Sequence, residues 1–377
     1  MHLYLHVPFC ARRCSYCDFA IAVRRDVPSR RFVDQLLREW RGWAGSDRFP
    51  SAAPLATIYL GGGTPSRLEP AELSRLLAAL LAARPVASGA EVTLEANPDD
   101  VTPASAAAWA AAGVNRVSLG VQSFDPGVLS WMHRTHAAEQ VPGAVRALRA
   151  AGIANLSLDL IYALPEALGR DWAVDLERAL ELAPDHLSLY GLTVESHTPL
   201  GRWVARGSAL PSPDERYATE FLAARERLTG AGFHHYEVSN YGLPGREAVH
   251  NRAYWRRAPY LGLGPSAHSA VGQRRWWNLR EWAAWSTAVE AGAPTVAAEE
   301  WLDAEALRVE DLYLGLRTDA GVERSRLPES LVQLWPDHGW ARGGEGRVSL
   351  TAEGWLRLDA LVAQAAAIPH PRVTDLS

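Results

Sequence analysis

Six short apolar runs, interleaved with longer helix-like stretches, constrain this chain more than any other feature. The runs are "LYLHV" (3–7), "ATIYLGGG" (56–63), "EVTLEANP" (91–98), "NRVSLGVQS" (115–123), "NLSLDLIYALP" (155–165) and "DHLSLYGLTVE" (185–195). Between them lie "EPAELSRLLAALLAAR" (69–84), "PASAAAWAAAG" (103–113) and "AEQVPGAVRALRAAG" (138–152), several closing on glycine as helices commonly do. Strands that alternate with helices predict right-handed crossovers and a parallel sheet. Six such units predict a partial barrel. A length of 377 residues leaves room for one large domain and a smaller one.

Each run ends in residues able to bind. They are the Gly61-Gly62-Gly63-Thr64 turn, Glu95 with Asn97, Gln122 with Ser123, Asp159, and Tyr190 with Glu195. In a β/α barrel the strand C-termini and the loops that follow them build the site, so these residues are expected to converge on one face. Singly, Glu95 or Asp159 reads equally well as a helix cap, and Gln122 as a partner for backbone groups. "GGGTP" has neither the G-x4-G-K-[ST] nor the G-x-G-x-x-G spacing. It permits close backbone approach to a ligand and offers carbonyls to an ammonium, or it is an ordinary tight turn.

All three cysteines, Cys10, Cys14 and Cys17, fall within eight positions of "HVPFCARRCSYCDF" (6–19). An odd count argues against a disulfide framework, and nothing at this N-terminus reads as a secretory leader, so a cytoplasmic protein is expected. Three thiolates can each hold one iron of a cubane and leave the fourth iron open to a small molecule. Zinc with His6 as a fourth ligand and a trio of inert thiols remain open alternatives.

Composition excludes several chemistries. The chain has no lysine, which removes Schiff-base catalysis, pyridoxal chemistry and the Walker lysine. A net charge of −5 gives no basic surplus for nucleic acid. No uninterrupted apolar run of about 18 residues predicts a membrane span.

The spacing C-x3-C-x2-C resembles the signature of the radical S-adenosylmethionine (SAM) enzymes. In order, "YLHVPFCARRCSYCDF", "YLGGGTPS", "LEANP", "GVQSF", "DLIYALP" and "SLYGLTVE" resemble oxygen-independent coproporphyrinogen III oxidase and its relatives over nearly the whole chain. The resemblance implies an α/β chain. Its expected parts are a partial (β/α)6 radical SAM barrel over 1–230, an extension over 231–298 and a small winged-helix-like C-terminal domain over 299–377. It implies a [4Fe-4S] cluster on Cys10, Cys14 and Cys17, and SAM contacts from Tyr4, Tyr16, Gly62, Gly63, Thr64, Glu95, Gln122, Arg134 and Asp159.

Two departures separate this chain from the decarboxylating oxidases. Phe19 stands where they carry a fourth cysteine, and the first strand begins almost at Met1 where they have a longer segment. Both match the heme-chaperone relatives, as does "HNRAYW" (250–255), which resembles a motif associated in that group with heme. His250 could ligate iron, with Tyr254 and Trp255 offering ring faces, or it is a buried histidine in an aromatic cluster. The resemblance implies heme as cargo and acceptor hemoproteins as partners, membrane-bound respiratory ones among them, with docking peripheral to the membrane. It implies an electron donor such as flavodoxin where SAM is cleaved. A radical SAM oxidoreductase acting on coproporphyrinogen III or a related small molecule is the alternative. The tail from 308 reads as a helix, a hairpin and a final helix, with residues 368–377 as a frayed end.

Overall fold

The computed structural model describes residues 1–44, 53–344 and 346–368; most of the expected frayed end, residues 369–377, lies outside them. The six runs are strands β1 (His2–Val7), β2 (Leu55–Gly62), β3 (Val86–Ala96), β4 (Arg116–Gln122), β5 (Asn155–Tyr162) and β6 (His186–Gly191). They pair in chain order and in parallel, as alternation with helices requires.

The two faces of this sheet have opposite chemistry. Leu3, Leu5, Ile58, Leu60, Val92, Leu94, Val117, Leu119, Leu156, Leu158, Leu187 and Leu189 are buried on the face that packs against helices. Each leucine so placed contributes roughly 1.5–3 kcal/mol relative to exposure. The alternate positions face the barrel interior and are polar: Tyr4, Tyr59, Glu95, Ser118, Ser157, Asp159 and Ser188. Register places Glu95 beside Ser118, Ser118 beside Ser157, and Asp159 beside Ser188.

The helices are set by local chemistry. Pro70–Ala83 starts on a proline and buries Leu73, Leu76, Leu77 and Leu80, one stripe at helical spacing. Pro103–Ala111 opens on a capping box between Thr102 and Ser105.

The sheet extends past the six expected strands. Tyr260–Leu263 adds a parallel strand beside β1, and His268–Val271, Arg274–Asn278 and Val296–Trp301 continue antiparallel from it. Asn240–Gly242 and His234–Glu237 extend the other edge beyond β6. The extension is therefore built onto the barrel sheet. Glu39, on the Ser29–Ala44 helix, ties the two together: it accepts from the Gly264 amide, Asn278 Nδ2, Trp285 Nε1 and Thr295 Oγ1 at 2.7–3.2 Å. Burial pushes its carboxyl up to about 7.

The C-terminal residues form a separate three-stranded antiparallel sheet, with Arg347–Leu350 between Val322–Glu323 and Ala341–Gly343. Helices Ala304–Leu316, Glu329–Asp337, Ala352–Trp355 and Leu358–Ala367 surround it. The helix at 329–337 has no counterpart in the expected helix, hairpin and helix. Pro336 near its end and the polar lead-in mask its period.

Candidate functional site

The loop after β1 carries the three cysteines across the strand C-termini. Phe9–Cys10 pairs in parallel with Ala22–Val23 and closes the loop, while the Ser15 amide donates to Met132 O and Ser15 O accepts from the Leu200 amide. Cys10, Cys14 and Cys17 are free and line one cavity of about 450 Å³. Thr64 Oγ1 donates to Cys10 Sγ at 3.4 Å, and Arg134 Nη1 to Cys14 Sγ at 3.6 Å. Burial raises the Cys10 thiol and pushes Cys17 up to about 12, a cost that a bound cation would offset. Among the described residues no three His, Cys, Asp or Glu are gathered tightly enough for a single ion. Thiols meeting different corners of a cluster need no such closeness. His6, the fourth ligand in the zinc reading, has both ring nitrogens engaged, by Ala20 O at 2.9 Å and Tyr4 OH at 3.1 Å.

The rest of the cavity holds unlike charges that do not pair with one another. Glu95 accepts from Tyr59 OH at 2.8 Å and the Gly62 amide at 3.0 Å, and burial pushes its carboxyl up to about 7. Asp159 accepts from Ser118 Oγ and Ser157 Oγ at 2.9–3.3 Å, and burial raises it too. Arg134 donates to Asn97 Oδ1 at 2.6 Å and Gly120 O at 2.8 Å, and its Nε has no partner. No ion pair of the described residues within 4 Å includes any of the three. A guanidinium and two carboxylates with no ion-pair partner within 4 Å among the described residues, all lining one cavity, suit an amino-acid zwitterion bearing hydroxyls; the buried Arg116 acts on both carboxylates only from a distance.

Backbone shape serves the same cavity. Gly62 has φ +107° and lies so close to His6 that a Cβ would strike the imidazole; a Cβ on Gly63 would meet the backbone of Pro8. Gln122 has φ +67° at a bulge between β4 and β5, a strained conformation of the kind that collects at functional sites.

Of the expected residues, Tyr16, Gly62, Gly63, Thr64, Glu95, Gln122, Arg134 and Asp159 line this cavity with the cysteines, as do Asn97, Tyr190 and Glu195. Phe19 is at its rim, 55% exposed. Tyr4 does not line it: the ring lies deeper in the barrel, against Tyr59. Ser123 is turned away and donates to Asp175 at 2.7 Å, because the chain reverses side after the bulge. Sequence reasoning missed Tyr59 and Ser118, which hold Glu95 and Asp159; the alternation of apolar with polar side chains in β2 and β4 was the available signal.

The "HNRAYW" residues form the helix Val249–Trp255 away from this cavity. His250 is 1% exposed, and both its ring nitrogens are engaged, Nδ1 by Thr57 Oγ1 at 2.6 Å and Nε2 by Tyr254 OH at 2.8 Å. Burial lowers it to about 3, which keeps the ring neutral. The Tyr59 ring packs on that of His250 with centroids 5.0 Å apart. In this arrangement His250 has no free nitrogen for iron. The expectation of an axial ligand here meets the buried, hydrogen-bonded alternative. Trp255 does open on cavities.

A parallel half barrel with three cysteines of this spacing over its strand ends defines the radical SAM class, and the Radical SAM superfamily model matches residues 4–179. Coproporphyrinogen III oxidase from Escherichia coli, described as a radical SAM enzyme, superposes with a TM-score of 0.81 over 97% of this chain and 89% of its own, at 23% identity, a likeness of fold. The heme chaperone HemW of Mycobacterium tuberculosis is 37% identical over 96% of this chain and 93% of its own length. HemW of Synechocystis is 38% identical over 86% and 80%. The mitochondrial radical S-adenosyl methionine domain-containing protein 1 of mouse is 34% identical over 95% and 82%. At that identity and coverage, the chain belongs to the HemW family of radical SAM proteins.

Proposed function

We propose that this protein is a heme chaperone, which binds heme and passes it to acceptor hemoproteins, and which carries a [4Fe-4S] cluster on Cys10, Cys14 and Cys17 with SAM beside it. The observation that supports the reading is the relationship to HemW along 96% of the chain. When bound, the cluster and SAM together supply one-electron radical chemistry.

The chain's own residues then have separable tasks. Arg134 meets the SAM carboxylate; Glu95 and Asp159 accept from the ammonium and ribose hydroxyls; Gln122 both donates and accepts. The Gly62-Gly63-Thr64 turn lets backbone approach the ligand, and Tyr16 covers it. Tyr4 acts one layer below, through His6. His250 and Tyr254 fix the helix that presents Trp255 to heme. Residues 1–230 would house the cluster and SAM, 231–298 the heme helix, and 299–377 the wall opposite it.

Among the described residues no helix is long and apolar enough to cross a membrane. In this reading the acceptors include membrane-bound respiratory hemoproteins, met by peripheral docking from the cytoplasm, and a flavodoxin-type donor serves where SAM is cleaved. The deciding experiment incubates anaerobically reconstituted protein with coproporphyrinogen III, SAM and reductant, in parallel with a hemin titration and transfer to an apo-hemoprotein. Hemin binding and transfer with only trace protoporphyrinogen is expected. Sustained turnover to protoporphyrinogen would move the assignment to the oxidoreductase reading.

A further inference from the structure

A second cavity, a cleft of about 520 Å³, lies between the end of the Val249–Trp255 helix and the C-terminal unit. Its walls carry Arg252, Arg256, Arg257, Arg326 and Arg347 against the acids Asp311, Asp319 and Glu323. Part of that charge is already matched. Arg257 pairs with Glu310 and Asp311 at 3.0–3.1 Å, Arg326 with Asp311 at 2.9 Å, and Asp319 with His234 at 3.0 Å.

The remainder is not matched. Among the described residues no carboxylate lies within 4 Å of Arg256 or Arg347; Arg347 donates only to the carbonyls of Ala320 and Gly321, and Arg252 reaches Glu247 at 4.0 Å. Trp255 stands between these arginines and a neighbouring cavity of about 240 Å³. The Arg317 guanidinium caps its ring at 4.4 Å, and its Nε1 has no hydrogen-bond partner. Arg317 is paired with Glu237 at 2.9 Å, whereas Arg256 and Arg347 have no counter-ion among the described residues; an aromatic wall beside two such guanidinium groups fits a flat apolar ligand with carboxylates on one edge.

We propose that this cleft receives the propionate edge of heme, with Arg256 and Arg347 meeting the carboxylates and Trp255 meeting the macrocycle. The assignment rests on the heme-chaperone reading and deepens it: the motif helix contributes its last residue and the arginine after it to the ligand, while His250 holds the helix from within.

The test compares hemin with hemin dimethyl ester, which has the same ring and no free carboxylate, on the full chain. Wild type is expected to bind hemin about tenfold more tightly than the ester. An exposed guanidinium is worth only a few-fold, and reversing its sign adds repulsion, so Arg256→Glu should cost hemin about tenfold and the ester less than about twofold. Arg12→Glu, a charge reversal at the cysteine-lined cavity, serves as the control and should change neither. Equal binding of hemin and ester by wild type overturns the proposal, as does hemin affinity unmoved by Arg256→Glu. Loss confined to Arg12→Glu would move the ligand to the strand-end cavity. If wild type binds no hemin at all, the heme reading itself falls with it.

Discussion

The two cavities are close in size, about 450 and 520 Å³, and hold their charges in opposite ways. At the strand ends Glu95, Asp159 and Arg134 are recessed and stabilised by neutral donors and acceptors. The desolvation is met during folding, so a complementary zwitterion finds the site already arranged. In the cleft Arg256 and Arg347 are exposed and partly free, where water and salt screen them. The first arrangement favours selectivity and long residence. The second favours a ligand that is held loosely enough to be handed on.

The comparison breaks most plainly at the cysteines. Replacing Cys10, Cys14 or Cys17 by alanine should abolish the roughly four irons and ~400 nm band of the reconstituted protein, since the chain has no other thiol to substitute. Hemin affinity should persist in the same variants, measured by titration; joint loss would mean that the two sites are one.

Next in size are the recessed charges. Glu95→Ala or Arg134→Ala should weaken SAM about ten- to hundredfold by calorimetry, the cost of losing a charged hydrogen bond in a partly desolvated cleft. Unchanged affinity in both, with folding intact, would place SAM elsewhere. Arg256→Glu should leave SAM affinity unaltered.

A smaller effect is expected with pH. The Glu95 carboxyl, held up at about 7, is protonated and uncharged below that value. SAM affinity should therefore rise as pH increases through about 7, and fall again once the ligand's own α-amino group loses its proton near ~8. Glu95→Gln should remove the rising limb, and a rise that persists there would assign it to another group.

The smallest effect concerns the joint between barrel and extension. Glu39 binds its proton more tightly in the folded protein, at about 7 against an ordinary 4.5, so its contribution to stability is full below about 4.5 and is lost as pH rises through about 7. Buried His6 and His250, depressed to about 4 and 3, act in the opposite sense up to about 6.5. The measurement is therefore the difference between wild type and Glu39→Gln in denaturant midpoint across pH 5–8. Parallel curves would show that Glu39 does not titrate in this range.

The same contrast explains what could be read from the sequence. Gly62, Glu95, Gln122 and Asp159 were legible because a parallel strand delivers whatever follows its last apolar residue to one rim. Depth was not legible. Tyr4 and Glu95 both face inward, and only the strand register sets one below the cavity and the other within it. Arg134 follows a short helix and the left-handed His133, with no local pattern to single it out, and only the resemblance found it. The engagement of His250 depends on Thr57, 193 residues away. The edge strand Arg274–Asn278 escaped because "RRWWN" shows no alternation of apolar with polar residues. Cleft arginines look in sequence like any solvated charge.

Tyr59 gives the two regions a common side chain. Its hydroxyl donates to Glu95 at the cavity, and its ring lies on His250, which anchors the helix ending in Trp255. A ligand that takes over the Glu95 oxygen would compete with that hydroxyl, which is a polar link between the cavity and a ring packed on His250. Thermodynamic reciprocity then requires that, whatever factor SAM imposes on hemin affinity, hemin imposes the same factor on SAM. Tyr59→Phe keeps the ring and deletes the bond, and hemin titrations with and without SAM should then coincide.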